Sequence, residues 1–281
     1  MRLFHLNCGT WCPATQPLIN GTGTMSRPGE VVCHCLLVET GDGLVLIDTG
    51  LGTADLANPR QRIGGLWTAL MRPQTDLGES ALRQIERLGF KADDVRDIVV
   101  THLDFDHAGG IPDFPKAQVH VYAPEYEAAM ARRSLRERFR YKPDDWGHRP
   151  QWLRYETEGD RWYGFDSVRA LSDRSSEILL VPLLGHTRGH CGVAVDSDQG
   201  WLLLAGDIYF HHDELEPNGH SPIGLQIYEN VMHMDRSVRQ ENVRRLQALH
   251  RDHGADVQIF SSHDPEEFYR FVPQTQAAER R

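Results

Sequence analysis

Arg96-Asp97-Ile98-Val99-Val100-Thr101-His102-Leu103-Asp104-Phe105-Asp106-His107-Ala108-Gly109-Gly110 is the stretch on which the reading of the whole chain turns. Ile98 to Val100 are a short β-branched run that reads as a buried strand ending at Thr101. Four side chains able to bind a metal follow at once: His102, Asp104, Asp106 and His107. Gly109-Gly110 closes the loop where the backbone must turn. Alternate residues of an extended segment point the same way. His102, Asp104 and Asp106 are therefore expected to converge while Leu103 and Phe105 pack behind them. His107 breaks the alternation and faces a second point, which predicts two adjacent metals. A lone His-x-Asp pair would be an ordinary acidic surface loop; a hydrophobic strand before it and two glycines after it argue for a rigid chelating tip.

Three later segments have the same form, an apolar run delivering polar ligand atoms. They are Leu183-Leu184-Gly185-His186-Thr187-Arg188-Gly189-His190, Leu204-Ala205-Gly206-Asp207 and Phe260-Ser261-Ser262-His263-Asp264. With Thr101–Gly110 they resemble, in order, the His-x-His-x-Asp-His, Gly-His-Thr-x-Gly-His, Gly-Asp and Ser-x-His elements of the metallo-β-lactamase-fold hydrolases. One position departs from the pattern: Asp104 stands where the family has its second histidine.

The resemblance implies an α+β fold, an αβ/βα four-layer sandwich of two mixed β-sheets flanked by helices. Residues 1–281 would form one domain, with halves at roughly 1–165 and 166–270 and a short C-terminal tail. One metal would take His102, Asp104 and His186, the other Asp106, His107 and His263, and Asp207 would bridge them. His190 is expected to support this loop without binding. Two dications would lower the pKa of a shared water from about 15.7 toward neutrality. Asp106 would orient that nucleophile and return its proton to the leaving group. Asp48, at the end of a core strand, is the candidate anchor for an imidazole N–H. Tyr209 matches a tyrosine with which some lactonases of the family hydrogen-bond the substrate carbonyl.

The implied activity is dinuclear, metal-dependent hydrolysis of an ester, a lactone (N-acyl-homoserine lactones included) or an amide by a metal-bound hydroxide. Zinc is the first expectation for the two divalent ions; the carboxylate at position 104 makes manganese, iron or cobalt more competitive. Related flavin-linked diiron proteins also carry an acidic residue there, so an iron-dependent oxidoreductase is the alternative. The sequence holds no Gly-rich flavin fingerprint and no room for a flavodoxin-like domain, which weighs against it.

Composition narrows the partners. Asp and Glu number 40 against 30 Lys and Arg, and without clustered cations nucleic acid is not an expected ligand. No apolar run approaches the roughly 20 residues that span a bilayer, and the N-terminus lacks a signal-peptide core. The expectation is a cytoplasmic enzyme acting on a small molecule, as a monomer or a homodimer. Five cysteines (8, 12, 33, 35 and 191) fit no closed disulfide set and read mostly as small core residues.

Along the chain, strands are expected at 1–7, 31–39, Leu44–Asp48, Gln118–Tyr122, Val168–Leu171, Ile178–Leu183, Cys191–Asp196, Trp201–Ala205 and Val257–Phe260. Helices are expected from Asp76 to Gly89, from Pro124 to about Arg138 and from Met232 to His253. Residues 51–75 read as an irregular flap and 139–166 as an irregular crossover. Trp11, Met25, Trp67, Met71 and Trp146 are candidates for apolar pocket walls, and His211 and His212 for loop histidines.

Overall fold

Runs of Val, Ile and Leu become the strands of two sheets. β1 (Arg2–Trp11), β2 (Val31–Thr40), β3 (Gly43–Ile47), β4 (Val95–Val99), β5 (Gln118–Tyr122) and β6 (Gln151–Tyr155) form the first, in that order. Its first three strands are antiparallel and the rest parallel. β7 (Arg161–Trp162) and β8 (Phe165–Asp166) make a small hairpin. β9 (Val168–Leu171), β10 (Ile178–Pro182), β11 (Cys191–Ser197), β12 (Gly200–Leu204) and β13 (Val257–Phe260) form the second sheet, in the order β13-β12-β11-β10-β9. Only β12 and β13 pair in parallel there. This computed structural model describes residues 2–157, 161–171 and 178–272; the expected C-terminal tail and residues 158–160 of the expected crossover lie outside them.

The period-two alternation of strands divides neighbouring residues between layers. Leu36, Val38, Ile47 and Val99 of the first sheet meet Leu180, Val193 and Leu204 of the second in one buried cluster. Leu37, Leu46 and Ile98 face the other way, onto the helices Ala81–Arg87 and Ala123–Ala131. Val181, Ala194 and Leu203 do the same against Val243, Leu246 and Leu249 of the helix Arg236–His253. The layers are therefore helix, sheet, sheet, helix. Strand direction places the site: β3 and β4 run parallel, as do β12 and β13, and β10 shares the direction of β12. The C-terminal ends of these strands all open at one rim. Backbone bonds tie the sheets together there, Cys191 N–H to Thr101 O (2.9 Å) and His34 N–H to Ser262 O (2.8 Å).

Several expected elements are different. Residues 51–75 are largely helical, with helices Thr53–Ala57 and Gly65–Met71 joined by a π-turn at Arg60–Gly64; Leu56, Ile63 and Trp67 pack on a core of their own, which the local glycines concealed. The stretch 139–166 contains the edge strand β6. The helix expected from Pro124 breaks at Arg132, which takes the left-handed conformation (φ 42°), and resumes at Leu135–Arg140. The helix expected from Met232 is two, Ile223–Met232 and Arg236–His253, the second capped by Asp235 through Ser237 and Val238 N–H. Among the described residues no helix is long and apolar enough to cross a membrane.

Candidate metal centre

β4 ends at Val99, and the chain then extends only as far as Asp104, which is the N-cap residue of a short helix, Phe105–Ala108. The strand-like alternation expected through Asp106 is thus cut short. Helical geometry is what swings Asp106 and His107 to a second point. Leu103 and Phe105 both pack away from the ligands as expected, but the turn into the helix sends them into two different cores.

Seven side chains from four strand ends gather at one point, with Asp207 in the middle. On one side His186 Nε2 lies 3.1 Å from Asp104 Oδ2 and 3.4 Å from Asp207 Oδ2, and His102 Nε2 lies 3.5 and 3.8 Å from the same atoms. On the other, His107 Nε2 and His263 Nε2 each lie 3.1 Å from Asp207 Oδ1. Asp106 is farther out, 4.0 Å from His107 and 3.9 Å from His263. Its side chain is 13% exposed and those of the other six are 4% or less, so the site opens on the Asp106 side.

Every imidazole of the set is tied down through Nδ1. His107 Nδ1 donates to Asp48 Oδ2 (2.9 Å), His263 Nδ1 to Val32 O (2.7 Å), His102 Nδ1 meets Thr101 Oγ1 (2.9 Å), and His186 Nδ1 meets His233 Nδ1 (3.0 Å). Thr101 Oγ1 in turn donates to Asp48 Oδ2 (2.7 Å), and Thr101 N–H donates to Asp48 Oδ1 (2.7 Å). One carboxylate thereby orients an imidazole on each side of Asp207. Asp48 does this from a left-handed backbone (φ 53°), which aspartate tolerates better than most residues. His190 is fully committed, Nδ1 donating to Leu183 O (2.8 Å) and Nε2 accepting Asp207 N–H (2.9 Å). Gly206, with φ +61°, lets that ring approach; a Cβ there would sit 2.4 Å from His190 Nε2.

Three buried atoms at the centre have no hydrogen-bond partner: His102 Nε2, Asp104 Oδ1 and Asp207 Oδ1. With Nδ1 carrying the proton, each Nε2 is a lone pair, and lone pairs facing carboxylates across 3–4 Å repel unless a cation lies between them. The donor set fits two divalent ions, two imidazoles and a carboxylate for each, with Asp207 between. Burial raises the Asp207 carboxyl, but the imidazoles of His263, His107, His186 and His102 hold it well below the usual range. Burial, with Asp207 and Asp104 nearby, raises that of Asp106.

Tyr209 is not part of this site. It is fully buried in the core of the second half, and its hydroxyl donates to Glu267 (3.0 and 3.1 Å). The residue two beyond Asp207 returns under the sheet, and the ring faces away from the rim. Tyr228 is a tyrosine that feels the charge of the site instead. Burial and then Asp106, Asp207 and Asp104 push its phenol well above the ordinary value, which places its hydroxyl in their field. An aromatic chain runs from it in both directions: Trp67 (5.9 Å between ring centroids), Phe139 (5.2 Å), Phe105 (6.2 Å) and Trp11 (6.1 Å) one way. The other way Phe210 (5.1 Å) lies flat on His263 (5.3 Å, 4°). Of the expected pocket walls, Trp11 and Trp67 belong to this arc and Met71 packs on the same core. Met25 is exposed, and Trp146 packs on Trp152 in a different core. His211 and His212 face a separate cavity with Glu30 and Glu266.

Two further residues had no sequence signal. Glu125, wholly buried, accepts Leu103 N–H (3.0 Å), Tyr141 Oη (3.0 Å), Thr187 Oγ1 (2.6 Å) and Gly189 N–H (3.0 Å). It joins the loop carrying His102 and Asp104 to the loop carrying His186. Arg140, also wholly buried, brings Nη1 to 3.2 Å from Asp104 Oδ2. Burial opposes it, but Arg140 and then His102 hold the Asp104 carboxyl well below its usual range.

The chain is similar to known proteins over most of its length. The profile of the Metallo-beta-lactamase superfamily matches residues 28–251. A probable metallo-hydrolase of Mycobacterium tuberculosis is 41% identical over 266 residues, covering 95% of this chain and 81% of the relative. An N-acyl homoserine lactonase of Bacillus thuringiensis is 27% identical over 217 residues, 76% of this chain and 78% of the relative. A crystal structure of a B. thuringiensis lactonase with N-decanoyl-L-homoserine at its active site superposes with a TM-score of 0.70 at 20% identity, over 95% of both chains. The dizinc quorum-quenching lactonase AidC superposes at 0.59 with 18% identity, over 94% of this chain and 87% of that one. From its profile match and the 41% identical relative, this chain belongs to the metallo-β-lactamase superfamily.

Proposed function

We propose that the protein is a dinuclear metal-dependent hydrolase that opens a small ester or lactone, with N-acyl-homoserine lactones as the leading substrate class. The observation that carries this reading is the common orientation of His102, His107, His186 and His263, each fixed at Nδ1 and aimed with Nε2 at Asp207. His102, Asp104 and His186 would hold one ion and Asp106, His107 and His263 the other, with Asp207 shared. When bound, two such ions activate water and polarise a carbonyl, with zinc the first choice for this donor set.

The chain's own groups do the rest. Asp106, the one ligand at the opening, takes up the proton of the attacking water at a carboxylate oxygen and hands it to the leaving alkoxide. The Tyr228 hydroxyl, kept protonated by its surroundings, donates a hydrogen bond to the developing oxyanion. The aromatic arc from Trp11 to Phe210 supplies an apolar wall suited to an acyl chain and limits water near the reacting carbonyl. The relatives named for an activity are hydrolases and lactonases, and no observation favours the iron-dependent oxidoreductase.

The test is turnover by chelator-treated and metal-restored protein on a panel of N-acyl-homoserine lactones of different chain length, aryl esters, a β-lactam and a phosphodiester. Metal-dependent ring opening that strengthens with chain length is expected. Turnover confined to the phosphodiester, or independent of metal, would refute the reading.

A further inference from the structure

Position 104 is where the chain leaves the family pattern, and the change is buried. Asp104, Asp106 and Asp207 make three carboxylates among the seven ligands, one more than with histidine at 104. On its own that carboxylate would make the site more negative. Arg140 changes that. Its Nη1 faces Asp104 Oδ2 at 3.2 Å, and it is held in place on both sides of the pair. Nη2 donates to Met232 O (2.6 Å) at the C-terminal end of the helix Ile223–Met232, and Nη1 also reaches His186 O (3.3 Å). Apart from the ligands His102 and His186, which face the same oxygen, Arg140 is the one basic side chain within ion-pair distance of Asp104 among the described residues. The carboxylate is thus engaged through Oδ2 while Oδ1 has no partner.

We infer that Asp104 and Arg140 work as one neutral unit in place of an imidazole. Asp104 offers a ligand oxygen to the first site; Arg140 cancels its charge, so the ligand set plus Arg140 carries the same net charge as a site with histidine at 104. Each residue is then unfavourable without the other. A guanidinium facing a neutral ligand and two cations repels them, and a carboxylate without the guanidinium draws the first cation more strongly. Arg140 is a positioning residue in this scheme; fully buried, it does not touch substrate. The inference rests on the two-metal reading.

The experiment is a double-mutant cycle read by cobalt(II) binding, using chelator competition and the visible absorption of the bound ion, with circular dichroism as the check on folding. The unmodified protein should bind two cobalt ions per chain; if it does not, the two-metal reading fails before the cycle begins. Asp104→His alone should weaken the first site about 10–100-fold, the usual scale for a disturbed ligand environment. Arg140→Met alone should bind the first ion more tightly than the parent, while the metal-free protein loses stability. The pair Asp104→His/Arg140→Met should return to parental affinity as the two charge changes cancel, and its metal-free protein should regain the stability that Arg140→Met loses, a non-additivity expected only of groups that act together. Arg140→Lys, which keeps the charge, covers the case where Asp104→His does not fold; it should stay closer to the parent than Arg140→Met does. A double variant as weak as Asp104→His, or equal affinities for Arg140→Lys and Arg140→Met, would overturn the inference.

Discussion

Glu125→Gln is the substitution that most directly probes how the two halves share one site. Among the described residues the carboxylate has four donors and no basic partner within hydrogen-bond distance: Leu103 N–H and Tyr141 Oη on Oε1, Thr187 Oγ1 and Gly189 N–H on Oε2. A glutamine keeps shape and volume but must turn its NH2 toward one pair. The hydroxyls of Tyr141 and Thr187 can rotate to accept; a backbone N–H cannot. Whichever way the amide turns, one buried N–H, Leu103 or Gly189, faces another donor. An unsatisfied buried group costs about 1–3 kcal/mol, and weakening the remaining charge-assisted bonds adds about 1 kcal/mol. About 3 kcal/mol overall corresponds to a fall in Tm of roughly 6–12 °C for a chain of this size. The loss should also be uneven. Leu103 lies between His102 and Asp104, and Thr187 follows His186, so the first site should loosen about 10–100-fold. The second, built on His107 and His263, should change little. Chelator-competition titration resolving the two equivalents, with thermal melts of metal-free protein, measures both. An unchanged Tm, or a loss confined to the second site, would refute the reasoning. Relief by a second substitution at Gly189 is not expected, since a Cβ there would sit 2.1 Å from Glu125 N.

Other expected outcomes follow from the same geometry. Asp48→Asn should weaken the second site by about 10–100-fold with the fold retained, because one amide cannot satisfy both Thr101 and His107; isothermal titration with zinc reads this. Tyr228→Phe should cut turnover while both metals stay bound, and Tyr209→Phe should leave turnover intact and lower stability by about 1–2 kcal/mol by removing the donor to Glu267. Kinetics alongside denaturant melts separate the two tyrosines, and the reverse pattern would restore Tyr209 to the site. Burial and then Asp264 push the Glu267 carboxyl up to about 8. Its folded pKa lies above the unfolded value of about 4.3. Its contribution is therefore complete below about pH 4.3 and declines as pH rises toward 8, on the order of a few kcal/mol in all. In metal-free protein Glu267→Gln should flatten the fall of Tm with pH over that interval, and parallel curves for the two proteins would contradict the assignment.

The ligands were legible because each follows an apolar strand and ends on a short polar signature, a pattern carried within a few residues. Parallel strands then bring their C-terminal ends to one rim without further information, which is why His102, His186, Asp207 and His263 meet. Asp48 was legible for the same reason. Tyr209 misled because an offset of two residues from Asp207 says nothing about which way the chain turns after a strand; here it turns inward. Tyr228, Arg140 and Glu125 come from helices outside the ligand loops, and nothing in their own neighbourhoods distinguishes them from ordinary helix residues. The helices within 51–75 were hidden for a different cause: Gly64-Gly65 and Pro73 read as breakers, yet Leu56, Ile63 and Trp67 have a core to bury in, and tertiary burial outweighs local propensity.

The central claim is that seven side chains hold two cations on either side of Asp207. Anomalous diffraction at the zinc edge, on crystals of chelator-stripped protein restored with zinc, tests it most directly. Two peaks are predicted, one among His102, Asp104 and His186 and one among Asp106, His107 and His263, each within about 2.0–2.2 Å of an Asp207 oxygen. No peak between these residues, or a single ion held without Asp207, would contradict it.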